Sequence, residues 1–225
     1  MLFRSRSTTV SATFTATLSG AIIGIQATLA TTTMNVGSSG NGNTVTIKEA
    51  AGGGAGTTTY SSAVTYIDAN ATHATVNVVS NTLNTTGSTI RSTGSLTGIN
   101  QNSTVTVLVN IKSNTMNVDR VAASGTLVSF TTTTGTPSEV SDTISNNNIT
   151  FTSLAGTTAV TAISSLGGPG SPVANNKRIN GNTISISGTH TGTSIGITCS
   201  FTNTGFITGN SVRSEEHTSE LQSRF

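Results

Sequence analysis

The chain has 225 residues, a single cysteine and a formal net charge of +2, with only 8% of its residues charged. One cysteine excludes an internal disulfide, and dispersed Lys and Arg without aromatic interleaving exclude a nucleic-acid grip. Thr, Ser, Asn and Gly dominate while Leu, Glu, Lys and Ala are scarce or scattered, which excludes a helical protein and predicts an all-β one.

The chain opens with Arg4 and Arg6, and Leu18 to Ala30 then gives this end the outline of a signal peptide. Val10, Ala12, Phe14, Ala16 and Leu18 nevertheless alternate with polar residues, a strand period that places the segment inside the fold. Gly20 to Ile25 matches Gly192 to Ile197 in register. Ile25 is the first of six apolar anchors, followed by Ile67, Ile99, Phe130, Ile163 and Ile197. Their successive separations are 42, 32, 31, 33 and 34 residues, a near-constant period stretched once by the Gly-rich insert Ala50 to Gly56. That insert lacks the Lys and Ser/Thr of a phosphate loop and reads as a flexible insertion.

Each anchor is answered by an asparagine that opens a strand-like run: Asn43, Asn81, Asn114, Asn147, Asn182 and Asn210. A period of two then points Val45 and Ile47, Leu83, Met116 and Val118, Ile149 and Phe151, Ile184 and Ile186, and Val212 inward. The same period points the column Thr44, Thr82, Thr115, Asn148 and Thr183 outward, with Thr46, Asn84, Asn117, Thr150 and Ser185 beside it. A second run passes through the anchors, as in Val128 and Phe130 or Ile195 and Ile197, and a third is visible at Val105, Val107, Val109 and Ile111. Two or three short strands per repeat, turned by Gly, Asn and Ser, wind into a solenoid. The scarcity of charge fits. Like charges stacked about 4.8 Å apart repel by roughly 1 kcal/mol even in water, whereas Thr, Ser and Asn stack freely.

The remaining residues offer little chemistry. Glu49, Asp68, Asp119, Glu139 and Asp142 stand 24, 1, 20, 9 and 12 residues after their anchors, so no two share a face position in adjacent repeats. Glu139 and Asp142 read as a solvated turn. Lys112 and Arg120 read as isolated solubilising charges. His73 and His190 read as surface histidines of polar loops, without the Cys, Asp or Glu spacing of a metal site, and no cofactor is implied. Cys199 continues the alternation of Ile195 and Ile197 and reads as core. No apolar run approaches the roughly 20 residues of a membrane helix.

Three pairings carry a family resemblance: Gly98-Ile99 with Ser113-Asn114-Thr115-Met116, Ala162-Ile163 with Gly181-Asn182-Thr183-Ile184, and Gly196-Ile197 with Gly209-Asn210-Ser211-Val212. They resemble the coil of the right-handed parallel β-helix, the pectin-lyase-like superfamily of secreted bacterial and phage proteins. The resemblance implies about six coils over residues 1–212, with the asparagines as a structural ladder and the C-terminal end uncapped. It also implies that an enzyme of this family would cluster Asp or Glu with Arg or Lys on one sheet. Here Lys177 to Asn180 only faintly echoes such an element, and the paired-Asp motif is missing. Residues 213–223 resemble the translation of a short-read sequencing adapter, so 213–225 is expected to be a non-native tail.

The expected function is a structural or adhesive segment of a secreted or cell-surface bacterial protein. A truncated polysaccharide lyase or hydrolase is the alternative, and an ice-binding Thr-rich face a remoter one. Expected partners are a carbohydrate or cell-surface ligand and further copies through open strand edges, with no nucleic acid, membrane span or metal.

Overall fold

The computed structural model describes residues 2–14, 21–49, 63–85, 94–101, 108–119, 126–132, 141–154, 156–166, 176–200 and 204–216. Within them, extended segments form where β-branched residues and Asn run between Gly, Ser and Asn turns. In chain order these are β1 (Leu2–Ser5), β2 (Thr9–Phe14), β3 (Ile22–Gln26), β4 (Thr31–Val36) and β5 (Thr44–Glu49). Then come β6 (Val64–Asp68), β7 (His73–Val79), β8 (Thr82–Asn84), β9 (Leu96–Gln101) and β10 (Leu108–Lys112). They are followed by β11 (Thr115–Asp119), β12 (Thr126–Thr132), β13 (Ser141–Ser145), β14 (Asn148–Leu154) and β15 (Ala159–Leu166). The last are β16 (Asn176–Asn180), β17 (Thr183–Gly188), β18 (Ser194–Ser200), β19 (Thr204–Thr208) and β20 (Ser211–Glu216). No helix occurs among the described residues.

Each strand pairs in parallel with the one three places on, giving three sheets. Sheet A holds β1, β4, β7, β10, β13, β16 and β19; sheet B holds β2, β5, β8, β11, β14, β17 and β20; sheet C holds β3, β6, β9, β12, β15 and β18. A chain that returns to the same sheet at every third strand is consistent with a β-helix. Three strands per repeat are present throughout, where the sequence suggested two or three. Val109 and Ile111 of the third run lie buried on β10, while Val105 and Val107 fall outside the described residues.

The anchors form one file. Ile25, Ile67, Ile99, Phe130, Ile163 and Ile197 are direct register partners on successive strands of sheet C. Sheet B contributes Val45, Leu83, Met116, Ile149 and Ile184, and sheet A contributes Val36, Val78, Ile111, Ile144 and Ile179, all at most 1% exposed. Burying each such side chain is worth roughly 1.5–3 kcal/mol, so these files hold the stack together. Around Ile67, Ile99 and Ile163 the alternation slips by one residue: Leu96, Gly98, Ile99 and Gln101 are all buried, as are Val64, Tyr66 and Ile67, and Val160, Ala162 and Ile163. The position before the anchor therefore lies against the core. A Cβ at Gly24 would meet Val45 Cγ1 at 2.5 Å, and one at Gly196 would meet Val212 Cγ1 at 2.6 Å, which is why Gly-Ile recurs there.

That slip corrects one expectation. Ile195 does not share the inward side with Ile197; it aligns with Thr161 and is 38% exposed. Val212, expected inside, is 51% exposed because β20 is the edge strand of sheet B. The histidines are not on the surface. His73 starts β7 and is fully buried because its register partner Thr31 supplies a hydroxyl 2.8 Å from Nδ1, and His190 is 4% exposed with Nε2 2.6 Å from Ser194 Oγ. Asp142 is not part of a solvated turn. It is an inward residue of β13, paired with an equally buried Lys177 of β16. Glu139 and the insert from Ala50 to Gly56 lie outside the described residues. β20 runs on through Glu216, four residues past Val212, and Arg213 pairs there with Glu215.

Asparagines join sheet A to sheet B. The Oδ1 of Asn114 accepts from Asn81 Nδ2 and from the Asn81 backbone N–H, at 3.0 and 2.9 Å, while Asn114 Nδ2 donates to the Val78 carbonyl at 2.9 Å. The same three bonds repeat at Asn147, Asn182 and Asn210, whose Nδ2 groups reach the carbonyls of Ile111, Ile144 and Ile179. Asn43 joins the file through Asn81 Oδ1, and its own Oδ1 accepts from Thr8 N–H. The left-handed backbone belongs to the preceding residue, at Ser80, Ser113, Asn146, Gly181 and Gly209, with φ between 55° and 65°. Asparagine serves here through its amide, which completes the bonding of a buried turn, and not through tolerance of that angle.

Candidate functional site

Parallel in-register stacking fixes every outward residue in a vertical file about 4.8 Å from its neighbours, so a surface chemistry, once placed, repeats. Thr44, Thr82, Thr115, Asn148 and Thr183 are successive register partners on sheet B. The first three are half-buried, and Asn148 and Thr183 are exposed. Beside them Thr46 Oγ1 donates to Asn84 Oδ1 at 3.0 Å. This face presents hydroxyls and amides at regular spacing.

The sequence reading passed over the outer face of sheet A. Asn35, Asn77 and Asn110 are register partners there, and Asn77 Nδ2 donates to Asn35 Oδ1 and Asn110 Nδ2 to Asn77 Oδ1, both at 2.8 Å. Further along the same file come Thr143, Arg178 and Phe206. The Arg178 guanidinium carbon sits 5.6 Å from the centre of the Phe206 ring, within cation–π range, and Phe206 is 49% exposed. Asn180 and Thr208, two residues on along each strand, are also register partners. Together the four residues line a depression of about 230 Å³. An exposed aromatic plate, a fixed fork of donors, an amide and a hydroxyl are what a sugar ring needs for stacking and hydrogen bonding. Sequence signals for it existed only in hindsight of the register: Arg178 and Phe206 lie 28 positions apart in the chain.

On sheet C the Asp68 carboxylate accepts from Gln26 Nε2 at Oδ2 and from Asn100 Nδ2 at Oδ1, both at 2.9 Å. Its two oxygens are thereby engaged by flanking strands. The Ser194–His190 contact places a hydroxyl next to an imidazole, and among the described residues His190 Nδ1 has no hydrogen-bond partner to orient it as a catalytic base. Burial pushes the Cys199 thiol pKa up, partly offset by the charge of Lys177, which leaves a poor nucleophile at neutral pH. Among the described residues no group of three or more His, Cys, Asp or Glu is placed to hold a metal ion, and no helix is long and apolar enough to cross a membrane.

No protein-family model, curated protein or solved structure matches this chain.

Proposed function

We propose that this chain is a segment of a right-handed parallel β-helix of the pectin-lyase-like kind, about six coils long, with a structural or adhesive role in a secreted or cell-surface bacterial protein. The observation that carries this reading is the unbroken asparagine file, which ties every repeat to the next through three hydrogen bonds per step. Seven strands spaced about 4.8 Å apart make a rod about 29 Å long. Such a rod holds its outward files rigidly, which suits repeated weak contacts with an extended polymer. Self-association belongs to the same reading. The edge strands carry exposed Phe206, Ile207 and Val212 beside unpaired backbone groups.

The depression around Arg178 and Phe206 favours carbohydrate as the ligand class and keeps the polysaccharide-enzyme reading as the alternative. Full-length chain displayed on a non-adherent cell should confer retention on polysaccharide-coated surfaces. Phe206→Ala and Arg178→Ala should each reduce that retention several-fold. Equal retention by parent, variants and an empty-display control would refute the ligand class, and release of reducing ends from the polymer would move the assignment to an enzyme.

A further inference from the structure

One inward file of sheet A runs Met34, Val76, Val109, Asp142, Lys177, so an apolar file gives way to an acid and then an amine on adjacent strands. Both side chains are at most 3% exposed, and Lys177 Nζ lies 3.6 Å from Asp142 Oδ2. Ser165, fully buried on β15 of sheet C, reaches between them from the other side of the interior. Its hydroxyl donates to Asp142 Oδ2 at 2.9 Å and accepts from Lys177 Nζ at 3.0 Å, and its carbonyl accepts from the same nitrogen at 3.1 Å. Removing two opposite charges from water is costly, and their mutual attraction often fails to recover the cost. An amide between the same two groups carries no charge and fills the same space.

We propose that Asp142 and Lys177 condense into an intramolecular amide that covalently joins β13 to β16 inside the stack. A proton passes from the ammonium to the carboxylate, leaving a neutral amine and a carboxylic acid. Nζ adds to Cγ, forming the new N–C bond. The Ser165 hydroxyl relays one amine proton to the departing oxygen, the Cγ–Oδ2 bond breaks, and that oxygen leaves with two hydrogens as water. No oxidant, reductant or cofactor enters the balance. Two conditions favour the step: the reacting groups are held at contact distance, which replaces a bimolecular encounter, and the site excludes the water that would reverse it. The product staples two successive repeats, and goes beyond the adhesive reading without depending on it.

Intact mass spectrometry of the soluble full chain, denatured before injection, tests this directly. The chain is expected to be lighter than its sequence mass by one water, with a proteolytic fragment that joins the peptides of Asp142 and Lys177. Asp142→Asn should lose ammonia instead and reach the same final mass as the parent, Lys177→Met should keep its sequence mass, and Ser165→Ala should show a mixture of linked and unlinked chains. Parent protein at its full sequence mass overturns the proposal, as does a lost water that maps to any other residue pair.

Discussion

At the scale of the residue, the asparagine ladder makes the sharpest demand on chemistry. Replacing Asn114 with Ala takes the acceptor from the buried Asn81 backbone N–H, leaves Asn81 Nδ2 with its bond to the Val36 carbonyl alone, and removes the Asn114 donor from the buried Val78 carbonyl. At about 1–3 kcal/mol for each unsatisfied group, the variant should lose on the order of 3–5 kcal/mol in denaturant unfolding. Asn148→Ala, one strand further on but outward, should change stability by no more than about 0.5 kcal/mol. Equal losses at the two sites would mean that the amide of Asn114 is not what matters. His73 makes a second demand. Burial lowers its pKa from the ordinary value of 6.5, against a smaller opposing effect from Thr31. The unfolded chain therefore binds the proton more readily, so the contribution of His73 is complete above about pH 6.5 and fades as pH falls below it. The parent should lose stability on acidification through that range, and His73→Leu should lose less of it; identical pH profiles would remove His73 from the account.

At the scale of the element, what the sequence displayed was periodicity, and what it concealed was phase. The Gly-Ile and Asn-X-apolar pairs mark two of the three strands in each repeat because their apolar residues face inward in every copy. The third strand was visible only through the run that includes Val109 and Ile111, and the copies at β13 and β16 put Asp142, Lys177 and Arg178 into the pattern. Ile195 was misplaced because the alternation slips before Ile197, a shift that the glycine of Gly196-Ile197 marks only once the register is known. Asp142 was read as part of a solvated turn because charge usually means surface, and only its register with Lys177 showed that the two answer each other indoors. The Arg178–Phe206 contact was hidden for the same reason. Where the phase is right, the consequences are strong. Phe130→Ala on β12 removes a fully buried ring from the anchor file and should cost about 3–5 kcal/mol, whereas Phe206→Ala on the outer face should leave the unfolding midpoint almost unchanged. A midpoint that shifts equally for both would contradict the assigned faces.

At the scale of the molecule, one geometric assertion underlies the rest: strands three places apart in the sequence lie side by side, parallel and in register. Thr9, Thr115, Asn148 and Thr183 belong to a single outward file of sheet B. In a Cys199→Ser background, spin labels placed pairwise at Thr9 with Thr115, with Asn148 and with Thr183 give the distances that test it, measured by pulsed electron resonance. The stack predicts backbone separations of about 14, 19 and 24 Å, each step adding about 4.8 Å. Distances that fail to lengthen by one strand spacing per repeat would contradict the stacked arrangement.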